Sequence, residues 1–151
     1  MSAPVSPSES GPKIGWPYFV AALLSLIGLA DALYLTVQDL TGQNLRCTII
    51  SGCSEVLGSV YAHLGPVPLA VLGAVAYFTV FSLATLAAFG YRFAGTLLGF
   101  LLAIMLLTTL WLLYLQAFVI RHFCQYCLLS AAVTITLTAI VCGSRFMKRR
   151  S

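Results

Sequence analysis

The sequence contains very few charged residues. Asp, Glu, Lys and Arg make up only 8% of its 151 residues, whereas they make up about a quarter of an average soluble domain. Eight basic and four acidic side chains cannot cover a domain of this size with a polar surface. This scarcity excludes an ordinary soluble globular domain, a disordered chain and a nucleic-acid-binding protein with a charged surface. Because 60% of the residues are hydrophobic, we predict an integral protein of the lipid bilayer.

The charged residues divide the chain into four long apolar stretches. These stretches cover residues 17–37, 66–90, 93–120 and 123–144, and Asp31 is the only charged residue within them. A helix needs about 20 apolar residues to cross the hydrocarbon core of a membrane. None of the stretches alternates apolar and polar residues, which excludes a membrane β-barrel. The sequence therefore predicts an all-α membrane protein, a bundle of four transmembrane helices.

The remaining segments differ in length and composition. Residues 1–15, rich in Ser and Pro, are predicted to form a disordered cytoplasmic tail, residues 16–144 the four-helix domain, and residues 145–151 a basic cytoplasmic tail. The connection between the first two spans is long enough to indicate a functional loop. Within it the sequence predicts a short amphipathic helix on the membrane surface, capped by Ser54, with an apolar face of Val56, Leu57, Val60, Tyr61 and Leu64.

The distribution of Lys and Arg predicts the orientation. With four spans, one side of the membrane carries six basic residues and the other side two. The six are Lys13, Arg92, Arg145, Lys148, Arg149 and Arg150, and the two are Arg46 and Arg121. Basic residues concentrate on the cytoplasmic side, so we expect a multi-pass protein of the plasma (inner) membrane with both termini in the cytoplasm. A signal peptide cleaved near Ala30-Asp31-Ala32 is the alternative interpretation of the first span.

Four of the five cysteines fall on the predicted outer side, where disulfides can form and persist. Cys124 and Cys127 form a Cys-x-x-Cys motif on the first turns of the fourth helix, where free N–H groups and the helix dipole favour a thiolate. Their spacing puts them on one helix face at roughly disulfide distance. Cys47 and Cys53 lie in the long loop. Cys142 follows about 22 Å farther along the helix, and we expect it to be inert.

A loop pair of cysteines above a membrane-embedded pair is the arrangement that a thiol relay needs, because exchange passes through a mixed disulfide. Three other interpretations stay open on the cysteines alone. They are two structural disulfides, a zinc site made of four cysteines, and unpaired cysteines that serve only packing. We expect no metal.

At these residues the sequence resembles the bacterial branch of the vitamin K epoxide reductase family. The motifs that match are Cys47-x₅-Cys53, Ser59 six residues later, and Cys124-x-x-Cys127 at the start of the last helix. Residues 64–73 resemble the entry to the family's second helix, with Pro66 where Gly is usual. Residues 28–36 resemble its first helix. The resemblance covers about residues 16–142.

The resemblance implies a quinone-dependent thiol–disulfide oxidoreductase that supports disulfide-bond formation. Cys47 would exchange with a thioredoxin-like or DsbA-like partner outside the cytoplasm, and Cys53 would pass electrons to Cys124. Cys127 would deliver them to a membrane quinone, either menaquinone (vitamin K) or ubiquinone, and Ser59 would support the loop and the pocket. Many bacterial members carry a fused thioredoxin domain, so a chain ending at Ser151 is expected to use a separate partner.

Two residues of the vertebrate members, an Asn that contacts the quinone and a Tyr four residues past the last cysteine, have no counterpart. The only Asn is Asn44, so the family's second-helix Asn is absent, and Ala131 stands where those members have Tyr. Reduction of a quinone depends on neither residue, and the resemblance therefore supports it more than reduction of an epoxide.

Apolar walls with a few polar groups suit a quinone ring, and the outer helix ends supply them. We predict contacts from Tyr34, Leu69, Gly73, Tyr77, Trp111, Leu115 and Phe118.

Asp31, the only acidic residue within a span, supports a second hypothesis, because such residues are costly in a membrane and usually functional. In that hypothesis the protein is a small proton-coupled transporter that uses Asp31, and its disulfides are structural. The Gly95-x-x-x-Gly99 motif predicts a close approach of helices.

Overall fold

The computed structural model of the chain describes residues 15–41, 60 and 63–150. In this part of the chain, four helices are long and apolar enough to cross a membrane, which confirms the predicted four-helix bundle. They are α1 (Trp16–Thr41), α2 (Leu69–Ala88), α3 (Arg92–Tyr114) and α4 (Gln125–Arg150), and a π-helical segment (Leu115–Ile120) extends α3. Even α2, the shortest with 20 residues, measures about 30 Å, the thickness of the hydrocarbon core.

A small hairpin precedes α2. Strand β1 (His63–Leu64) pairs antiparallel with β2 (Val67–Pro68), and Gly65 opens the turn between them with a φ of +65°, which glycine adopts without strain. The predicted span from residue 66 therefore starts as a helix only at Leu69. Most of the predicted amphipathic helix, residues 54–59 and 61–62, lies outside the described residues. Leu64 belongs to β1 instead of that helix, because Gly65 and the following prolines do not continue a helix.

Small side chains bring the helices together. α1 packs against α2 and α4, and α3 packs against the same two helices. The buried core is rich in alanine, and it consists of Ala21, Ala22, Ala32, Ala74, Tyr77, Val80, Ala84, Leu98, Leu102, Val133, Leu137 and Val141. Small residues let helix backbones approach closely in membranes, where packing replaces the hydrophobic effect as the driving force.

Large apolar side chains cover the outside of the bundle. Phe19 of α1, Phe78 of α2, Phe100 of α3 and Ile135 of α4 are all exposed. An apolar surface of this extent is a liability in water but is what a helix presents to lipid. The exposed side chains therefore agree with a bundle that is surrounded by a bilayer.

The bundle has two ends of different chemistry. The end where α1 and the π-helical segment finish and α2 and α4 begin contains Cys124 and Cys127, and we name it the cysteine end. The opposite end, where α2 and α4 finish, contains Arg92 and Arg145, and we name it the arginine end.

Residues 1–14 and Ser151 lie outside the described residues, and with them nearly all of the predicted disordered tail. Residues 145–150, predicted as a tail, continue α4, because basic side chains stabilise the C-terminal end of a helix.

Candidate functional site

Two cysteines begin α4. Cys124 immediately precedes the helix and its side chain is completely buried. Its carbonyl oxygen accepts a hydrogen bond from the N–H of Leu128 at 2.9 Å, so Cys124 caps the helix N-terminus. Cys127 lies one turn farther into the bundle on the same side of the helix, in agreement with the spacing of three residues.

The Cys124 sulfur has the environment of a reactive thiol. The hydrogen bond from the Cys127 thiol, assisted by the backbone N–H groups of Cys127 and Tyr126, lowers the pKa of Cys124 to about 7 in spite of burial. Hydrogen bonds to the charged form stabilise a thiolate, and the thiolate is the nucleophile in disulfide exchange. Cys124 is therefore the more nucleophilic member of the pair near neutral pH.

Gln116 fixes the backbone at this cysteine. It lies in the π-helical segment, its side chain is only 3% exposed, and its Oε1 accepts a hydrogen bond from the N–H of Cys124 at 3.4 Å. The segment ends at Arg121, which adopts a left-handed conformation with a φ of 59° and so turns the chain back towards α4. π-Helical turns occur frequently at functional sites. Here the turn brings a buried amide to the start of the Cys-x-x-Cys motif.

Beside Cys127 the bundle encloses a cavity of about 420 Å³, within the range of small-molecule sites. Most of its wall is apolar, and all four helices contribute to it. Near the Cys127 sulfur, hydrogen-bonding groups come from Asp31, Tyr77, Gln116, Ser130 and Thr134, and further polar groups of the wall belong to Asp39, His63, Thr108 and Thr109. A mainly apolar space with a thiol on its wall and several hydrogen-bonding groups fits a quinone ring and its two oxygens.

Tyr77 crosses the bundle at the wall of the cavity. Its hydroxyl donates to the carbonyl oxygen of Ser130 at 2.9 Å and lies 2.7 Å from Ser130 Oγ and 3.0 Å from Thr134 Oγ1. The ring packs directly on Gly28 of α1, where an added Cβ would overlap it. Tyr77 therefore links α1, α2 and α4, and Gly28 provides the space that the ring requires.

Asp31 is buried in this wall. Its side chain is 8% exposed, and its Oδ2 atom has no hydrogen-bond partner within the described ranges. Buried polar atoms almost always have partners, and a carboxyl group within a membrane span is especially costly. Because Asp31 also lines the cavity, its free oxygen is available to a molecule bound there.

A second acidic residue marks the cavity where α1 meets the hairpin. Asp39 and His63 both line the cavity, and their Oδ2 and Nε2 atoms are 3.2 Å apart. The pair ties the end of α1 to β1. Their side chains are 21% and 37% exposed, so water reaches them far more easily than it reaches Asp31.

Four of the seven predicted quinone contacts line the cavity, and they are Leu69, Gly73, Tyr77 and Leu115. The other three have no place on its wall. Tyr34 stacks against Tyr126, with ring centroids 5.3 Å apart. Trp111 and Phe118 are 59% and 68% exposed, because they lie with Tyr114 in a row of aromatic rings on the outer face of α3.

Sequence reasoning missed several polar residues of this wall, among them Gln116, Ser130 and Thr134. Their only signal was a hydrogen-bonding side chain inside a predicted span, which membrane helices usually turn towards the protein interior. Cys47, Cys53 and Ser59 lie outside the described residues. Cys142 is exposed near the arginine end of α4, remote from the other described cysteines in the chain.

The match to known proteins agrees with this geometry. The model of the vitamin K epoxide reductase family matches residues 19–142, which is most of the chain and includes α2, α3 and most of α1 and α4. The matched segment contains both pairs of cysteines and every residue of the cavity wall. The chain therefore belongs to the vitamin K epoxide reductase family, which indicates a membrane thiol–disulfide oxidoreductase linked to quinone.

Proposed function

We propose that the protein oxidises the dithiol of a thioredoxin-like partner outside the cytoplasm and passes two electrons to a membrane quinone. The observation that carries this proposal is the position of Cys127 on the wall of the cavity, next to a second thiol whose pKa is lowered to about 7. A thiol pair at the boundary between water and an enclosed apolar space can exchange disulfides on one side and meet a lipid-soluble oxidant on the other.

The proposed relay balances at each step. A thiolate of Cys53 attacks Cys124 of the oxidised motif, which forms a Cys53–Cys124 disulfide and releases Cys127 as a thiolate. Cys47 then attacks Cys53, which closes the loop disulfide and returns Cys124 as a thiol. The Cys47–Cys53 disulfide in turn oxidises the two thiols of the partner.

The motif is re-oxidised in the cavity. The two thiols of Cys124 and Cys127 lose two electrons and two protons and form a disulfide, and a quinone gains both and becomes a hydroquinone. Cys127 is the electron donor in this step because it lines the cavity, whereas Cys124 lies above it. Gln116 and the backbone N–H groups at the start of α4 hold Cys124 in place for both partners.

We further propose that Asp31 exchanges a proton with the quinone. The step needs two protons at the quinone oxygens, and Asp31 is a buried cavity residue with an oxygen that has no described partner. A proton leaves the carboxyl group as a quinone oxygen is reduced, and a proton released by the thiols restores it. Tyr77 has a positioning role in the cavity wall, since its hydroxyl is already bound to Ser130 and Thr134.

The charges support an orientation with the cysteine end outside. Five basic residues of the described part lie at the arginine end, and they are Arg92, Arg145, Lys148, Arg149 and Arg150. Arg121 is the only Lys or Arg described at the cysteine end. By the positive-inside rule, the arginine end faces the cytoplasm of a plasma membrane and the cysteines face the compartment in which disulfides form.

The test uses the purified full-length chain in lipid nanodiscs, a reduced thioredoxin-like protein, and menaquinone or ubiquinone. Quinone absorbance is followed in the wild type, in Cys127→Ala and in Cys142→Ala. We expect quinone loss with the wild type and with Cys142→Ala, which removes an exposed cysteine from the same helix, and a loss of at least a thousandfold in rate with Cys127→Ala.

Two outcomes would contradict the proposal. Quinone consumption that persists in Cys127→Ala would remove the cysteine from the reaction. The absence of thiol-dependent quinone loss in the wild type, together with proton uptake coupled to a solute that survives Cys127→Ala but not Asp31→Asn, would favour a proton-coupled transporter with structural disulfides.

A further inference from the structure

A second cavity, of about 360 Å³, lies at the arginine end. Four basic residues line it, and we name them the basic groove: Arg92, Arg145, Lys148 and Arg149. Tyr18 and Thr96 add hydroxyl groups to the wall. Among the described residues that line this cavity none is acidic. Neither the thiol relay nor the quinone cavity uses these residues.

Arg145 is held in a defined position in this groove. Its Nη2 atom donates to Thr96 Oγ1 at 3.3 Å, and its guanidinium lies across Gly99 of α3, where an added Cβ would be 2.5 Å from Nη1. One helical turn earlier, an added Cβ at Gly95 would lie 3.6 Å from the Tyr18 hydroxyl. The Gly95-x-x-x-Gly99 motif thus makes a trough for polar side chains, where the sequence predicted a close helix contact.

The start of α3 adds to the positive potential. α3 begins at Arg92, its N-cap residue Tyr91 makes no side-chain capping bond, and its first turn contains no acidic residue. Arg92, Gly95 and Thr96 of its first turns line the cavity. The free N–H groups and the dipole of a helix N-terminus favour an anion. A helix N-terminus and four cations therefore converge on one cavity.

The surroundings place this cavity at the depth of lipid head groups. Tyr91, in the turn between α2 and α3, lines it and is 63% exposed, and its chain neighbours Phe89 and Phe93 are 77% and 75% exposed. Tyr side chains concentrate at the membrane–water interface, where the phosphates of phospholipids lie. A basic cavity between helix ends at this depth is the type of site that binds anionic lipid head groups.

We propose that the basic groove binds the phosphate group of an anionic phospholipid. Arg145 and Arg92 are suited to this ligand because a guanidinium donates two parallel hydrogen bonds to phosphate oxygens. The acyl chains would then follow the exposed apolar side chains at the start of α3. This lipid would connect α2, α3 and α4 at the end of the bundle opposite to the cysteines.

The test measures lipid binding to the full-length chain by native mass spectrometry in detergent, with phosphatidylglycerol and phosphatidylcholine as probes. We expect one phosphatidylglycerol molecule to bind more tightly than phosphatidylcholine. Arg145→Gln should weaken phosphatidylglycerol binding about fivefold, the effect of one interfacial charge. Gly99→Ala should weaken it severalfold without any change in charge, because the new methyl group displaces the flexible end of Arg145.

The control is Arg150→Gln, which removes a charge from the same helix end but from a side chain that stacks on Phe146, 4.9 Å from the ring centroid, and does not line the cavity. It should bind phosphatidylglycerol as the wild type does. Equal weakening in Arg150→Gln and Arg145→Gln, with no effect of Gly99→Ala, would overturn the proposal in favour of diffuse attraction by a basic helix end.

A further arm separates the lipid from a free anion. Millimolar inorganic phosphate should not displace phosphatidylglycerol, because the lipid is also held by its acyl chains. Displacement by inorganic phosphate, or equal binding of phosphatidylcholine, would overturn the assignment to an anionic lipid. Each variant is first compared with the wild type in thermal unfolding followed by circular dichroism. If Arg145→Gln does not fold, Gly99→Ala decides the result.

Discussion

The two ends of the bundle bury polar groups in opposite ways. At the cysteine end most of the cavity wall is apolar, and its two carboxyl groups differ. Asp39 is paired with His63 where water reaches it, whereas Asp31 is buried and has an oxygen with no described partner. At the arginine end the cavity is lined by four cations, and Arg145 is hydrogen-bonded to Thr96. One end therefore concentrates charge in an exposed groove, and the other keeps one buried acidic group, Asp31, in a mainly apolar cavity.

The difference follows from depth in the membrane. Long basic side chains near a helix end extend to the interface, where water and lipid head groups solvate their charge. Asp31 is short and lies inside a span, so only the protein or a bound molecule can satisfy it. Charge at the arginine end thus costs little, in line with the proposed lipid contact, whereas the buried carboxyl group of Asp31 is costly, in line with its proposed role in proton exchange.

Among the polar residues compared here, we expect the largest effect from Asp31→Asn, on the rate of quinone reduction. The amide keeps the size of the side chain but cannot exchange a proton, so the rate of quinone reduction should fall about a hundredfold, as for the loss of a general acid–base group. The measurement is single-turnover oxidation of the pre-reduced chain in nanodiscs. Asp31→Glu should recover part of the rate, and a wild-type rate in Asp31→Asn would refute the proposed role.

The next effect concerns the packing that shapes the cysteine-end cavity. In Gly28→Ala the new methyl group overlaps the Tyr77 ring, which cannot move freely because its hydroxyl is bound to α4. We expect a loss of about 2 kcal/mol in the free energy of unfolding, measured by denaturation with sodium dodecyl sulfate. Gly73→Ala is the matched control, since its Cβ would lie 3.8 Å from the Ala32 Cβ, an ordinary contact. Equal stability of the two variants would show that Tyr77 is not held as described.

A smaller effect concerns the reactivity of Cys124. Because its pKa is lowered to about 7, the thiolate prevails above that pH, and the rate of alkylation should fall as the pH drops through 7. In Cys127→Ala the main stabilising hydrogen bond is lost, the midpoint should rise, and the rate at neutral pH should fall about tenfold. Iodoacetamide labelling in a Cys142→Ala background, located by mass spectrometry, measures both. An unchanged midpoint in Cys127→Ala would contradict the proposed cause.

The smallest effect is expected at the Asp39–His63 pair. It lies at the same end as Asp31, but water reaches it, and partly exposed ion pairs contribute about 1 kcal/mol or less. A double-mutant cycle of unfolding free energies with Asp39→Asn, His63→Gln and the double variant measures the coupling. A coupling energy above about 2 kcal/mol would mean that the pair is as isolated from water as Asp31, and the contrast drawn above would fail.

The sequence predicted the positions of the helices along the chain better than the rotation of each helix about its own axis. The gaps between charged residues predicted all four helices, and the motif spacing predicted that Cys124 and Cys127 share one side of α4. The inward-facing residues of α3 were harder to predict. Trp111 and Phe118 were selected for their aromatic character and lie outside, while Gln116 was overlooked and lies at the site.

The reason is physical. In a soluble protein the polar face of a helix shows which side is exposed, but a helix in lipid is apolar on both sides, so hydropathy does not determine its rotation. The π-helical turn at Leu115–Ile120 adds a local rotation that no periodic pattern reveals. In the same way, the spacing of Gly95 and Gly99 indicated small residues but not that Arg145 would occupy the space.

The sequence alone determined that this chain lies in a membrane, crosses it four times and carries a Cys-x-x-Cys motif at the start of the last helix, because scarce charges and helical spacing are local properties. Only the tertiary structure decided that Cys127, Asp31 and Tyr77 share one cavity and that Arg145 lies over Gly99. Those proximities depend on how helices with apolar surfaces on every side rotate and pack, which side-chain size and shape determine and hydrophobicity does not.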